Sequence, residues 1–276
     1  MNAGTPALPE LAEADSPADI REIFAEIRQW TGGPIVALIF RNLATTPGML
    51  EEVWGAIGPL FRTGQMQEAA WRVTRETVRA DILPPIEAHA RAVIGLTDAA
   101  HDSLRNLFDA YNRANPVNLL SMLSLMARLR GDRPARPVIA TGWTPPRAIT
   151  GALPPMAPLD VIAPELRRLI NDFGFGDRGK LDPVVPSLYR HLTGWPGYLG
   201  VLHVTLVPRF RDGSIVSMTQ QLHQSMAKEA ESIADFLPPL PHLAAAPHVS
   251  ETLAEFTTSV IPTMVIVGHA LRAAVQ

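Results

Sequence analysis

Asn115 stands directly before Pro116 in a run of residues whose apolar spacing is helical. Proline within a helix removes a backbone donor and leaves the carbonyl one turn earlier without a partner. An amide at such a break can hold a water molecule. The commoner alternative is that Asn115 caps a helix beginning at Pro116. Ser187 follows Pro186 and offers a hydroxyl in the first turn of another helical pattern, where a structural role is equally natural. The eight histidines are spread along the chain. His89, His101, His242 and His248 read as surface or loop residues, and His191, His203, His223 and His269 fall on helical patterns. No pair combines ligand spacing with a carboxylate, so no metal site is expected.

Other chemistries are excluded by what is missing. With no cysteine, the chain has no disulfide, thiolate metal site, CxxC redox pair or cysteine nucleophile. It carries no GxSxG, HExxH, GxGxxG or Walker loop. Gly174 to Lys180 (GFGDRGK) has glycines and a lysine but not phosphate-loop spacing, and reads as a connection. No cofactor is expected.

The elements that must position these residues come as an internal repeat. PIVALIFRNLATTPGMLEEVWGAIGPLF from Pro34 and PVVPSLYRHLTGWPGYLGVLHVTLVPRF from Pro183 align without a gap at an offset of 149 residues. Arg41 meets Arg190, Pro47-Gly48 meets Pro196-Gly197, and Phe61-Arg62 meets Phe210-Arg211. Asn115-Pro116 falls where Ile261-Pro262 sits in the second copy. The expected organisation is a tail over 1–16, a first helical repeat over 17–130, a proline-rich linker over 131–162 and a second repeat over 163–276. A segment with prolines at 134, 137, 145, 146, 154, 155 and 158 is extended.

Within each copy the apolar period is 3.6. Ile20, Ile23, Phe24 and Ile27 form one stripe, Leu104, Leu107, Phe108 and Tyr111 another, and Ile215, Met218, Leu222, Met226 and Ile233 a third. All read as core. Ser16 and Thr46, each before a proline, read as N-caps. No alternating run predicts a strand, so the fold class is all-α.

Composition narrows the partners. Apolar residues make up 47% and charged residues 18%, a globular balance, and the net charge of −3 with no basic cluster argues against nucleic acid. The most apolar stretches, near 119–129 and 260–275, read as too short and too interrupted to span a bilayer. The N-terminus lacks the basic start and apolar run of a signal peptide. A soluble, cytoplasmic protein with no membrane partner is expected.

The residues Leu43-Ala44-Thr45-Thr46-Pro47-Gly48, Asn115-Pro116 with Leu119-Leu120, and Ser187 with Trp195-Pro196 resemble the group I haloacid dehalogenases (the DehI-like family), over nearly the whole chain. More distantly the pattern is similar to the AhpD-like helical fold, whose redox branch needs cysteines. The resemblance implies an all-α pseudo-dimer of two tandem repeats with a pocket between them. It implies hydrolysis of 2-haloalkanoic acids, in which an aspartate activates water to attack the halogen-bearing carbon directly. Asn115 then falls on the water-positioning asparagine and Ser187 on the substrate-binding serine. Ile35 and Leu38 fall on pocket-lining positions.

The chain departs from this pattern at Leu188, which occupies the position of the catalytic aspartate. Leucine accepts no proton. Asp182 and His191 are the nearest alternatives, and His191 lies one helical turn from Leu188; its ordinary reading is a solvent-facing polar residue. Three functions follow. One is a carbon–halide hydrolase acting on a small carboxylic acid bound by Ile35, Leu38, Ser187 and Leu188, with Asn115 positioning water and another base, and the second is an apolar small-ligand site without hydrolysis. The third is a helical scaffold that pairs as a homodimer.

Overall fold

The computed structural model describes residues 8–131, 134–173 and 185–276. Asp182 and the Gly174 to Lys180 segment lie outside them. Every regular element among the described residues is helical, as the 3.6-residue period predicts.

The first half holds α1 (Ala18–Thr31), α2 (Leu38–Leu43), α3 (Met49–Arg62), α4 (Gln65–Thr77), α5 (Ala88–Val93) and α6 (Asp98–Leu129). The second holds α7 (Pro164–Asn171), α8 (Ser187–Leu192), α9 (Pro196–Arg211), α10 (Ser214–Ala234), α11 (Pro241–Ala244), α12 (Pro247–Glu255) and α13 (Ile261–Ala274). A π-helical turn, Phe256–Val260, joins α12 to α13 without a break. From Pro134 to Pro158 the chain carries no helix. Thr141 binds the carbonyl of Thr63, Ile149 binds that of Gly32, and Trp143 stacks on Trp30 with ring centroids 6.5 Å apart.

The core is shared between the halves. α6 packs against α4, α10 and α13, and α10 also packs against α4 and α13. These four helices enclose one continuous apolar cluster that takes in Leu104, Phe108, Leu120, Leu222, Met226 and Ile266. Sequestering such a cluster from water is the dominant favourable term in folding. Gly64 (φ 76°) and Gly213 (φ 79°), which the repeat alignment pairs, open α4 and α10 in the left-handed region that favours glycine.

Some local expectations are corrected. Ser16 does not cap α1: Pro17 holds the cap position, and the Ser16 hydroxyl turns back to the carbonyl of Ala12 at 2.8 Å. Gly48 with φ 75°, not Thr46, opens α3. α6 runs unbroken through Pro116, so Asn115 is an interior helical residue and not an N-cap. Thr97 caps that helix, accepting from the Ala100 N–H at 3.2 Å. His101 is buried at its first turns rather than exposed. The apolar stretch at 260–275 belongs to a continuous 28-residue rod, Pro247–Ala274, long and apolar enough to cross a membrane; 67% of its most apolar window is buried inside the fold. That burial is typical of a core helix.

Candidate functional site

Tyr111, Ala114, Asn115 and Asn118 recur at i, i+3, i+4 and i+7 and share one face of α6. That face borders a cavity of about 190 Å³. Ser187, Leu188 and His191 of α8 border it too, as do Ile35, Leu38, Ile39 and Arg41 in and before α2. Phe256, Val260, Ile261 and Met264 of the π turn and α13 complete the wall, with Met156 of the linker. All five residues singled out from sequence (Ile35, Leu38, Asn115, Ser187 and Leu188) therefore meet at one place. Among the described residues no carboxylate lines it.

The two sides are chemically unequal. Asn115 and Asn118 pair in the repeat alignment with Ile261 and Met264, and Ser187-Leu188 with Leu38-Ile39. The π turn explains the remaining pair. Phe256 lies five residues before Ile261, whereas Tyr111 lies four before Asn115. A π turn absorbs one extra residue, so Phe256 comes to face the cavity as Tyr111 does. Apart from Arg41 on α2, polar groups thus gather on α6 and α8, and the lining from α2 and α13 is apolar.

The polar side is tied together. The Ser187 and Tyr111 hydroxyls are hydrogen-bonded, and burial pushes the Tyr111 phenol well up. His191 is 7% exposed, not solvent-facing. Its Nδ1 lies 2.6 Å from the carbonyl oxygen of Pro154 in the linker. A carbonyl only accepts, so Nδ1 carries the proton and Nε2 the lone pair in the neutral ring. Burial lowers the His191 pKa below 6.5, the adjacent Arg190 lowers it further, and the linker carbonyls of Pro154 and Pro155 oppose them. The Tyr111 ring meets the imidazole edge to face at 6.0 Å.

Two guanidinium groups flank this wall, Arg41 within the lining and Arg190 outside it. Arg41 donates through Nε to Glu10 at 2.7 Å and through NH1 to the carbonyl of Val36 at 2.7 Å. Arg190 donates through Nε to the carbonyl of Ala157 at 2.9 Å. Its pKa is lowered chiefly by burial, and both arginines act on the Tyr111 hydroxyl. Two cations beside one carboxylate leave the region positive. The first-turn residues of α2 and α8 also face the cavity, and first-turn N–H groups have no partner within their helix.

The whole chain superposes on solved D-2-haloacid dehalogenases. One, in complex with L-LA, gives a TM-score of 0.78 at 13% identity and covers 100% of both chains. The chain has the fold of the D-2-haloacid dehalogenases. A mutant in complex with D-2-CPA gives 0.74 at 12% identity, over 99% of this chain and 98% of that one. A further mutant gives 0.77 at 14%, over the same shares. No family model matches the sequence, and no curated protein matches it. Identity this low shows the fold alone.

Sequence reasoning missed Tyr111, Asn118, Met156, Phe256 and Met264 as lining residues, and met Arg41 only as the counterpart of Arg190. A signal was present on α6, where two asparagines and a tyrosine share the face of an otherwise apolar core helix.

Proposed function

We propose that this chain is a divergent member of the group I haloacid dehalogenase family whose cavity, between two helical copies, receives a small 2-substituted carboxylic acid. The observation that carries this is the mixed lining: hydroxyl, amide and imidazole groups on α6 and α8, with the Arg41 guanidinium on α2, share the cavity with apolar side chains of α2 and α13. Such a cavity suits a ligand with one polar end and a short apolar substituent. A void of roughly 150 Å³ holds a benzene molecule, so about 190 Å³ has room for a three- or four-carbon acid. The positive surroundings favour an anion over a neutral ligand.

Leu188 removes the carboxylate base of the resembled mechanism. Binding without turnover is the second reading it favours.

The test is calorimetric titration with L-lactate, both enantiomers of 2-chloropropionate, and lactamide as the uncharged control. A six-heavy-atom ligand has a ceiling of about −9 kcal/mol, and the Kd expected, on the order of 0.1–1 mM or about −4 to −5.5 kcal/mol, lies well within it. Lactamide is expected to bind at least tenfold more weakly. Equal binding of lactamide and lactate, or no binding of any acid at 10 mM, a ligand level roughly ten times the weakest expected Kd, would overturn the reading.

A further inference from the structure

We propose that His191 is the general base of this cavity, activating a water molecule to displace halide from C2 of a bound 2-halocarboxylate. This inference rests on the small-carboxylate reading above and adds a catalytic group to it.

The argument starts from tautomer and position. His191 lies three residues after Leu188 on α8, so it shares the face on which the missing carboxylate would project. It borders the same cavity as Asn115 and Ser187. The Pro154 carbonyl fixes the proton on Nδ1, which leaves Nε2 as the acceptor. A backbone carbonyl behind the ring sets both its tautomer and its orientation, which a positioned base requires. The Tyr111 ring on α6, edge to face at 6.0 Å, limits rotation from the other side.

The charged and titratable groups around the imidazole act in one direction. Burial first and then Arg190 on the same helix disfavour an imidazolium, and Tyr111 on α6 is a neutral phenol. Glu10, the carboxylate in this region, is engaged by Arg41. The ring is therefore neutral and able to accept at neutral pH. Asp172, bonded to His203, and Asp109, bonded to Arg272, are committed to other partners.

The step balances without a cofactor. Nε2 takes a proton from water as the water oxygen bonds to C2 from the side opposite the halogen. The electron pair of the carbon–halogen bond leaves with the halide. The imidazolium then returns its proton to solvent. The products are a 2-hydroxy acid of inverted configuration, halide and one proton. Asn115 is the second anchor for the attacking water.

The experiment measures chloride release from each enantiomer of 2-chloropropionate, beside calorimetric binding of L-lactate, for the native chain, His191→Asn and His191→Gln. An asparagine amide can take the place of Nδ1 and still donate to Pro154, yet it supplies no base. The native chain is expected to release chloride, with a rate that falls as pH drops through a value below 6.5. His191→Asn is expected to lose on the order of 100-fold or more in turnover while lactate binding stays measurable. Chloride release undiminished in both variants would overturn the proposal, as would a native chain that binds chloropropionate and releases nothing. The native pH profile tests it independently of whether either variant folds: a rate flat from pH 5 to 8, the interval in which an ordinary imidazole near pKa 6.5 changes charge, would also overturn it. Absence of any binding would overturn the carboxylate reading itself, an outcome distinct from binding without turnover.

Discussion

Replacing Leu188 by aspartate separates the frame from its chemistry. Leu188 is fully buried and borders the cavity. Truncating a buried leucine costs about 2.7–5.0 kcal/mol, rising with the void left behind. Leu188 already faces open space of about 190 Å³, and aspartate fills part of the vacated volume, which puts the cost near the low end. A loss of about 3 kcal/mol lowers the melting temperature by roughly 6–12 °C at about 2–4 °C per kcal/mol. The new carboxyl adds a pH-dependent term. Burial raises its pKa above the unfolded value of about 3.9. Between those two values the folded variant binds more protons than the unfolded one, so its stability falls as pH rises through the window and then levels off. Arg41 and Arg190 narrow that window without closing it. Thermal melts at pH 5 and pH 8 test this, with the larger deficit expected at pH 8. A deficit under about 2 °C at both, no more than about 0.5–1 kcal/mol on the same scale, would refute the claim that a packed apolar side chain stands in the place of the carboxylate. Chloride release from 2-chloropropionate is expected to rise above that of the native chain, because the groups that would hold water and acid already line the cavity.

Three further outcomes are expected. Tyr111→Phe removes the buried hydrogen bond to Ser187 and costs about 0.5–1.5 kcal/mol in a urea titration, with weaker lactate binding; unchanged affinity would mean that the hydroxyl does not serve the ligand. His101, His191, His223 and His269 are all held below 6.5, burial being the first cause in each, so the folded chain binds fewer protons than the unfolded one in acid. Their contribution is complete above pH 6.5 and is lost as pH falls through the lowered values, so the urea midpoint is expected to drop between pH 7 and 5, less steeply in His269→Gln; identical slopes would show that His269 is not desolvated. Gly64→Ala places a Cβ 2.3 Å from the Trp143 ring at φ 76°, whereas Gly213→Ala at φ 79° meets nothing within 4 Å. The second is expected to cost about 1–2 kcal/mol for its backbone alone, and the first more, with faster proteolysis of the linker; equal costs would show that Trp143 yields freely.

The sequence and the structure agree where one helix face decides the outcome. The apolar stripes at Ile20 to Ile27 and Leu104 to Tyr111 lie on helices because their period selects one face for burial. They diverge where a partner comes from far along the chain. His191 reads as a solvated residue until the linker carbonyl of Pro154 covers it. Tyr111 reads as core until Ser187 meets its hydroxyl. The caps fail for a local reason: Ser16 satisfies an upstream carbonyl, and a left-handed glycine starts α3, so a hydroxyl before a proline is not needed at either site.

The π turn ties the asymmetry of the cavity to its construction. Two copies of one helical frame would present similar walls to a shared cavity, and a ligand with distinct ends would find no preferred orientation. In this chain the differences are concentrated around the cavity. One extra residue in Phe256–Val260 sets an aromatic ring opposite a phenol, and the substitutions in register with it set Ile261 and Met264 opposite Asn115 and Asn118. Arg41, within the lining, and Arg190, outside it, act together on the Tyr111 hydroxyl. Orientation of a small acid then follows from side-chain chemistry alone, with its polar end toward α6 and α8. Swapping Asn118 and Met264 would leave the volume of the lining nearly constant while weakening that direction. The swapped chain is therefore expected to lose its preference between lactate and a wholly apolar ligand of the same size, read by competition calorimetry, while melting within a few degrees of the native chain.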